Sequence, residues 1–128
     1  MAAFYTGFDW RNRKNGYFKI GETGGKTPAA RLSQIRSTDA FQCLGYILMP
    51  EATKPERLLV EAHVRLMMDR NFPELTHTQN DHYLYQMADR EHKYTQVQVF
   101  ADAAISYAIA ACEMYHIAWT MGTKKYKR

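Results

Sequence analysis

The 128 residues suffice for one compact domain with a single core, and 46% hydrophobic with 23% charged residues is ordinary for a soluble globular chain. No apolar run approaches the ~20 residues that a membrane span needs, so no membrane partner is expected. The net charge of +4 is uneven: seven Lys/Arg face two acids in residues 1–36, five face nine in 37–92, and five face two in 93–128. Basic ends around an acidic middle suit a polyanion that meets a carboxylate site; they also serve solubility alone.

In chain order, the aromatic stretch AFYTGFDW leads to the polar run RNRKNG and then to YFKIGET. Asn15-Gly16 is a hairpin-turn signal, because both residues tolerate positive φ. The pattern predicts an antiparallel hairpin of residues 3–10 and 17–22. A period of two then sets Phe18 and Ile20 on a core face, with Tyr17, Lys19 and Gly21 on the other, polar face. Thr27-Pro28 predicts a helix start, with Thr as N-cap and Pro at N1. This helix runs to Arg36 with Leu32 and Ile35 inward.

FQCLGYILM predicts a third, largely buried strand ending at Pro50. Thr53 and Glu56 have capping-box spacing, so a second helix begins there and runs to about Arg70, burying Leu59, Leu66 and Met67 among others. NFPELTHTQNDHYLYQM reads as loop, with HYLYQ as a short edge strand. Thr95 and Gln98 repeat the capping-box spacing ahead of a long amphipathic helix. Its stripe is Val97, Phe100, Ala101, Ala104, Ile105, Ala108, Ala111, Cys112, Tyr115, Ala118 and Trp119, and Gly122 stops it. So alanine-rich a stripe either covers the sheet or pairs with a second copy of the chain.

The N-terminus MAAFYTGFDW lacks the basic and apolar regions of a secretory signal. Cys43 and Cys112 lie far apart without metal-ligand spacing and read as reduced, buried, small hydrophobes of a cytoplasmic protein. His63, His77, Asp81 and His82 match no zinc pattern, and a solvated polar loop accounts for them; His63 is otherwise placed to support Glu61.

The glycine-rich GETGGKT, residues 21–27, ends like a phosphate-binding P-loop. That loop requires Gly, four residues, then Gly-Lys-Ser/Thr; only three residues separate Gly21 from Gly25. It also requires a buried parallel strand before it, where this chain has a hairpin strand carrying Lys19. Pro28 removes a helical N–H besides. A nucleoside triphosphate site is therefore set aside. Lys26 and the backbone of Gly24 and Gly25 still suit a phosphate at a helix start.

A different set of motifs falls in order: AFY ending in Tyr5, KIG from Lys19 to Gly21, ARL with Arg31, and VEAHVRL with Glu61. Over residues 3–85 this series resembles the GIY-YIG nuclease superfamily, closest to the phage and bacterial branch whose second motif is K-I-G. The resemblance implies an α/β domain with a small three-stranded antiparallel sheet and two covering helices, here residues 1–90. A C-terminal helix and basic tail, 91–128, is added on the same domain or on a dimer partner.

The activity implied is metal-dependent hydrolysis of nucleic-acid phosphodiesters, more readily DNA. Glu61 would hold Mg²⁺ or Mn²⁺, since a mostly hydrated Mg²⁺ needs few protein oxygens. Arg31 would brace the phosphate, with Arg36 as fallback. Tyr5 would prepare the attacking water, or orient it. Lys19, in the place of the family's second tyrosine, would stabilise phosphorane charge or act as a base, with Tyr17 supplying the missing phenol. Gly21 lets nucleic acid or metal approach the strand. The family asparagine has no clear counterpart beyond Asn80.

Each residue also has a plainer reading. Glu61 has Arg57 and Arg65 at i−4 and i+4 as ion-pair partners, Tyr5 fits a core, Arg31 a solvated helix face and Gly21 a turn. The rival functions are a nucleic-acid-binding module that does not cut, and an oligomerising interaction protein driven by the last helix. A homodimer through that helix would suit cleavage of both strands.

Overall fold

The computed structural model describes residues 2–9, 16–24, 41–77, 82–85 and 90–122. The predicted helix over 27–36 lies outside them, with Arg31, Arg36 and Lys26, and so does Asn80. The fold is mixed α/β: strands β1 (Ala3–Asp9), β2 (Gly16–Thr23) and β3 (Phe41–Leu48), helix α1 (Lys54–Asn71), strands β4 (Thr76–His77) and β5 (His82–Tyr85), helix α2 (Arg90–Met114) and strand β6 (Thr120–Met121). All strands join one antiparallel sheet in the order β4-β5-β2-β1-β3-β6. The three anticipated strands form its centre, and three short ones widen it. HYLYQ supplies β5, which lies inside the sheet between β2 and β4 rather than at the edge.

Strand alternation separates two faces, as the period of two requires. Phe4, Phe18, Ile20 and Ile47 are fully buried on one face, in a single core with Val60, Val64 and Met68 of α1 and Phe100 and the alanines of α2. β3 carries one extra residue, Leu44, where the register shifts opposite Thr6 and Gly7. That bulge lets Leu44 join the same core. Thr6, the buried polar residue here, is satisfied by donating its hydroxyl to the Lys19 carbonyl at 3.1 Å. Phe100 meets Phe18 at 6.0 Å and Phe72 edge-on at 5.2 Å between ring centroids, joining α2 to β2 and to the end of α1.

Helix α1 begins as its sequence dictates. Thr53 accepts from the Glu56 N–H, the Glu56 carboxylate accepts from the Thr53 N–H at 2.9 Å, and Pro55 lies in the first turn. These bonds to the charged form hold the Glu56 carboxyl below its ordinary range. The buried stripe differs from the anticipated one: it is Val60, Val64 and Met68, whereas Leu59 and Leu66 are exposed, Leu66 by 56%, and Met67 is half-buried. Leucine and valine carry the same hydrophobic signal. The i, i+4 ridge that meets the sheet is chosen by docking, which the helical period alone leaves undetermined.

Helix α2 starts at Arg90, so Thr95 lies within it rather than capping it, and Gln98 donates to Asp102 at 3.1 Å, one turn on. Ala101, Ala104, Ala108 and Ala111 are buried against the sheet and α1, so the alanine face covers this chain's own core. The span Gln96–Met114 is long and apolar enough by length and composition to cross a membrane, where the sequence reading expects no such run. Its inward face is part of the domain core, which passes the same test.

The helix ends before Gly122. The Ile117 N–H donates to the Cys112 carbonyl at 2.8 Å, and His116 sits at φ 57°. This is a Schellman ending in which histidine occupies the left-handed position that usually selects glycine. Tyr115, Ala118 and Trp119 therefore lie beyond the helix. Gly122 serves elsewhere: its N–H donates to the Tyr46 carbonyl at 3.0 Å, and a Cβ there would overlap the Tyr46 ring. His116→Gly is expected to stabilise the fold by about 0.5–1 kcal/mol, the strain relieved exceeding the entropy that glycine adds to the unfolded chain. A calorimetric scan checks this; an unchanged or lowered Tm would mean that His116 makes a compensating contact.

Neither cysteine forms a disulfide, and both are buried. Burial, with a smaller contribution from neighbouring Glu113, pushes the Cys112 thiol from 9.0 up to about 11. The folded state favours the neutral thiol, so stability is unaffected below about pH 9 and falls as pH rises toward 11, where only the unfolded chain readily ionises. Near pH 10.5 this loss is on the order of 2 kcal/mol. Denaturant melts at pH 8 and 10.5 should show a smaller alkaline loss in Cys112→Ala than in wild type.

Candidate functional site

The two hairpin motifs meet in register. Tyr5 of AFY pairs directly with Gly21 of KIG, and Gly7 pairs with Lys19. Tyr5, Lys19 and Gly21 share the sheet face opposite to the helix-packed core. Tyr5 is only 2% exposed and packs with Cys43, Tyr46 and Leu48 on that face. Its ring lies across Gly21: a Cβ there would stand 2.7 Å from the Tyr5 Oη and 2.8 Å from Cζ. The glycine thus makes room for the neighbouring phenol. Lys19 is half-buried. The backbone of Tyr17 continues β2 and pairs with Leu84 and Asp9; its side chain lies outside the described residues.

Glu61 stands on α1, the helix packed on the core face of the sheet. It follows Val60 and precedes Val64, both fully buried, so it flanks the core stripe instead of facing bulk water, and its side chain is 14% exposed. Arg65 donates to its Oε1 at 3.0 Å, the i+4 pair that the plainer reading anticipated. His63 projects from the other flank, toward α2, where its ring meets Tyr115 edge-on at 6.4 Å. Support of Glu61 by His63 is therefore not what this helix builds.

Arg57, the other anticipated partner of Glu61, turns elsewhere. Its Nε donates to Glu22 Oε2 at 2.7 Å and its Nη1 to the Ala52 carbonyl at 3.1 Å. The pair is nearly buried, at 14% and 15% exposure, and spans from the end of β2 to the start of α1. Sequence reasoning missed it because Glu22 and Arg57 stand 35 residues apart. Within the sequence, only the glycine at position 24 hints at the guanidinium that lies over it.

Among the described residues no group of three or more His, Cys, Asp or Glu comes together. The donor chemistry still suits a hard cation that keeps most of its waters, for which one partly buried carboxylate, Glu61, is an adequate protein ligand. Comparisons of the chain with protein-family models, curated proteins and solved structures found no match.

Proposed function

We propose that the chain is a metal-dependent endonuclease with a GIY-YIG-like site. The observation that carries this reading is the register of the hairpin, which sets the tyrosine of the first motif beside the glycine of the second, with Lys19 one pair away on the same face. The partly buried carboxylate of Glu61 supports it, on the helix docked against the other face of this hairpin.

In this reading Glu61 holds Mg²⁺ or Mn²⁺, which supplies Lewis-acid stabilisation when bound. Tyr5, in its phenolate form, takes the proton of a water as its oxygen attacks phosphorus and the bond to the leaving oxygen breaks; the leaving oxygen is protonated from solvent, and the Tyr5 phenol then releases its proton to solvent. Lys19 lies beside the negative charge that develops on the phosphate oxygens, and Arg31 braces the phosphate. DNA is the favoured substrate.

Two observations favour a second reading, a nucleic-acid-binding module that does not cut: the burial of Tyr5 and the engagement of Glu61 by Arg65. Supercoiled plasmid incubated with the chain and Mg²⁺ or Mn²⁺, beside Glu61→Ala, separates them. Nicking lost in the variant supports the enzyme. Salt-sensitive DNA binding unchanged by the substitution, with no nicking by either protein, supports the module.

A further inference from the structure

The end of β2 in the glycine-rich stretch GETGG, residues 21–25, has a structural role. A Cβ at Gly24 would overlap Cζ and Nη2 of Arg57, so the guanidinium lies against the backbone at the end of β2. One edge of that plane is held by Glu22, on β2 itself, and another by the Ala52 carbonyl, just ahead of the α1 N-cap. A planar, always-charged fork can satisfy a strand carboxylate and a loop carbonyl at once while resting on a glycine; an ammonium cannot do all three. Arg57 is also one helical turn before Glu61, on a helix whose Val60, Val64 and Met68 share a core with Phe18 and Ile20 of β2.

We propose that Arg57, seated on Gly24 and clamped by Glu22 and Ala52, is the positioning residue that locks α1 to the end of β2 and so fixes the Glu61 carboxylate relative to the β1–β2 hairpin. The catalytic half of this statement rests on the endonuclease reading; the seat itself does not. Glycine is required at position 24 for the guanidinium, whatever the site does. The side chain of Arg57 touches neither reacting atom nor substrate in this scheme, so its loss acts through Glu61.

The test uses the full chain, ¹⁵N-labelled, in wild-type form and as Arg57→Met, Arg57→Lys, Gly24→Ala, Arg57→Ala and Gly24→Ala/Arg57→Ala. Amide exchange at Thr23 and Gly24 should quicken about tenfold or more in Arg57→Met and in Gly24→Ala. The double variant should exchange no faster than Arg57→Ala, because the overlap that Gly24→Ala creates is with the guanidinium. Unchanged exchange, or additive effects in the double variant, would overturn the seat. Should Arg57→Met fail to fold, Arg57→Lys, which keeps the charge and loses the fork, carries the same comparison.

For the catalytic half, the Mn²⁺ concentration giving half-maximal nicking should rise about 10–100-fold in Arg57→Met, the effect of losing an outer-shell partner, with KM for plasmid nearly constant. A shift in KM alone would refute positioning of Glu61. If the wild-type chain does not nick DNA at all, the endonuclease reading falls with this half, and the exchange data alone decide the seat.

Discussion

Glu61→Gln is expected to lower the nicking rate by about 100-fold or more while shifting the folding free energy by less than ~1 kcal/mol. The two halves of this expectation have separate causes. The amide keeps the shape of the carboxylate and still accepts a bond from Arg65, which now donates at 3.0 Å. An i, i+4 ion pair of this kind on a partly exposed helix flank contributes only about 0.3–0.5 kcal/mol, so its weakening is nearly silent in a melt. A hydrated divalent cation, by contrast, depends on the anionic charge of its few protein ligands. Outer-shell substitutions already cost about 10–100-fold, and a direct ligand costs at least as much. Rate measured against Mn²⁺ concentration, beside a denaturant melt of the same protein, checks both halves. If Glu61 is only the partner of Arg65, rate and stability both stay nearly constant, and the metal assignment is lost.

Tyr5→Phe is expected to slow nicking by about 10²–10⁴-fold, the range over which a positioned proton-transfer group contributes. The substitution removes one oxygen from a ring that is 2% exposed and lies over Gly21, so the packing with Cys43, Tyr46 and Leu48 persists. Loss of a buried hydroxyl costs stability as well, about 1 kcal/mol for a typical hydrogen bond. Burial makes this variant decisive between the two functions. A phenol used only as core gives the stability loss with no change in rate or in DNA affinity. A phenol used in catalysis gives a rate loss far larger than the stability loss can explain, with DNA affinity preserved. Single-turnover nicking at saturating protein separates the chemical step from binding.

Several features of the fold are legible in the sequence because they are set by neighbours along the chain. Gly16 opens β2 after the Asn-Gly signal, Phe18 and Ile20 alternate onto the core face, and Thr53 with Glu56 closes the cap of α1. Each depends on φ/ψ preferences or on hydrogen bonds that reach three residues at most. The misplaced features depend on distant groups. Leu59 and Leu66 stay exposed because Val60, Val64 and Met68 meet the sheet first. The end of α2 went unseen because histidine rather than glycine holds the left-handed position. Gly122, read as that stop, is small because Tyr46 lies against it.

The candidate site divides along the same line. The residue types that handle a phosphate, a proton and a cation can be read from Tyr5, Lys19 and Glu61 in their order along the chain. The sequence by itself determined the antiparallel hairpin, the capped start of α1 and the alanine-rich stripe of α2, though not what that stripe covers, since local torsions and side-chain periodicity encode these directly. Only the tertiary structure decided that Tyr5 lies buried over Gly21, that Arg65 takes up Glu61, and that Arg57 leaves Glu61 for Glu22 and Gly24. Choosing among several oppositely charged partners, or among several apolar ridges, requires knowing which surfaces meet. That is settled by burying the whole core at once.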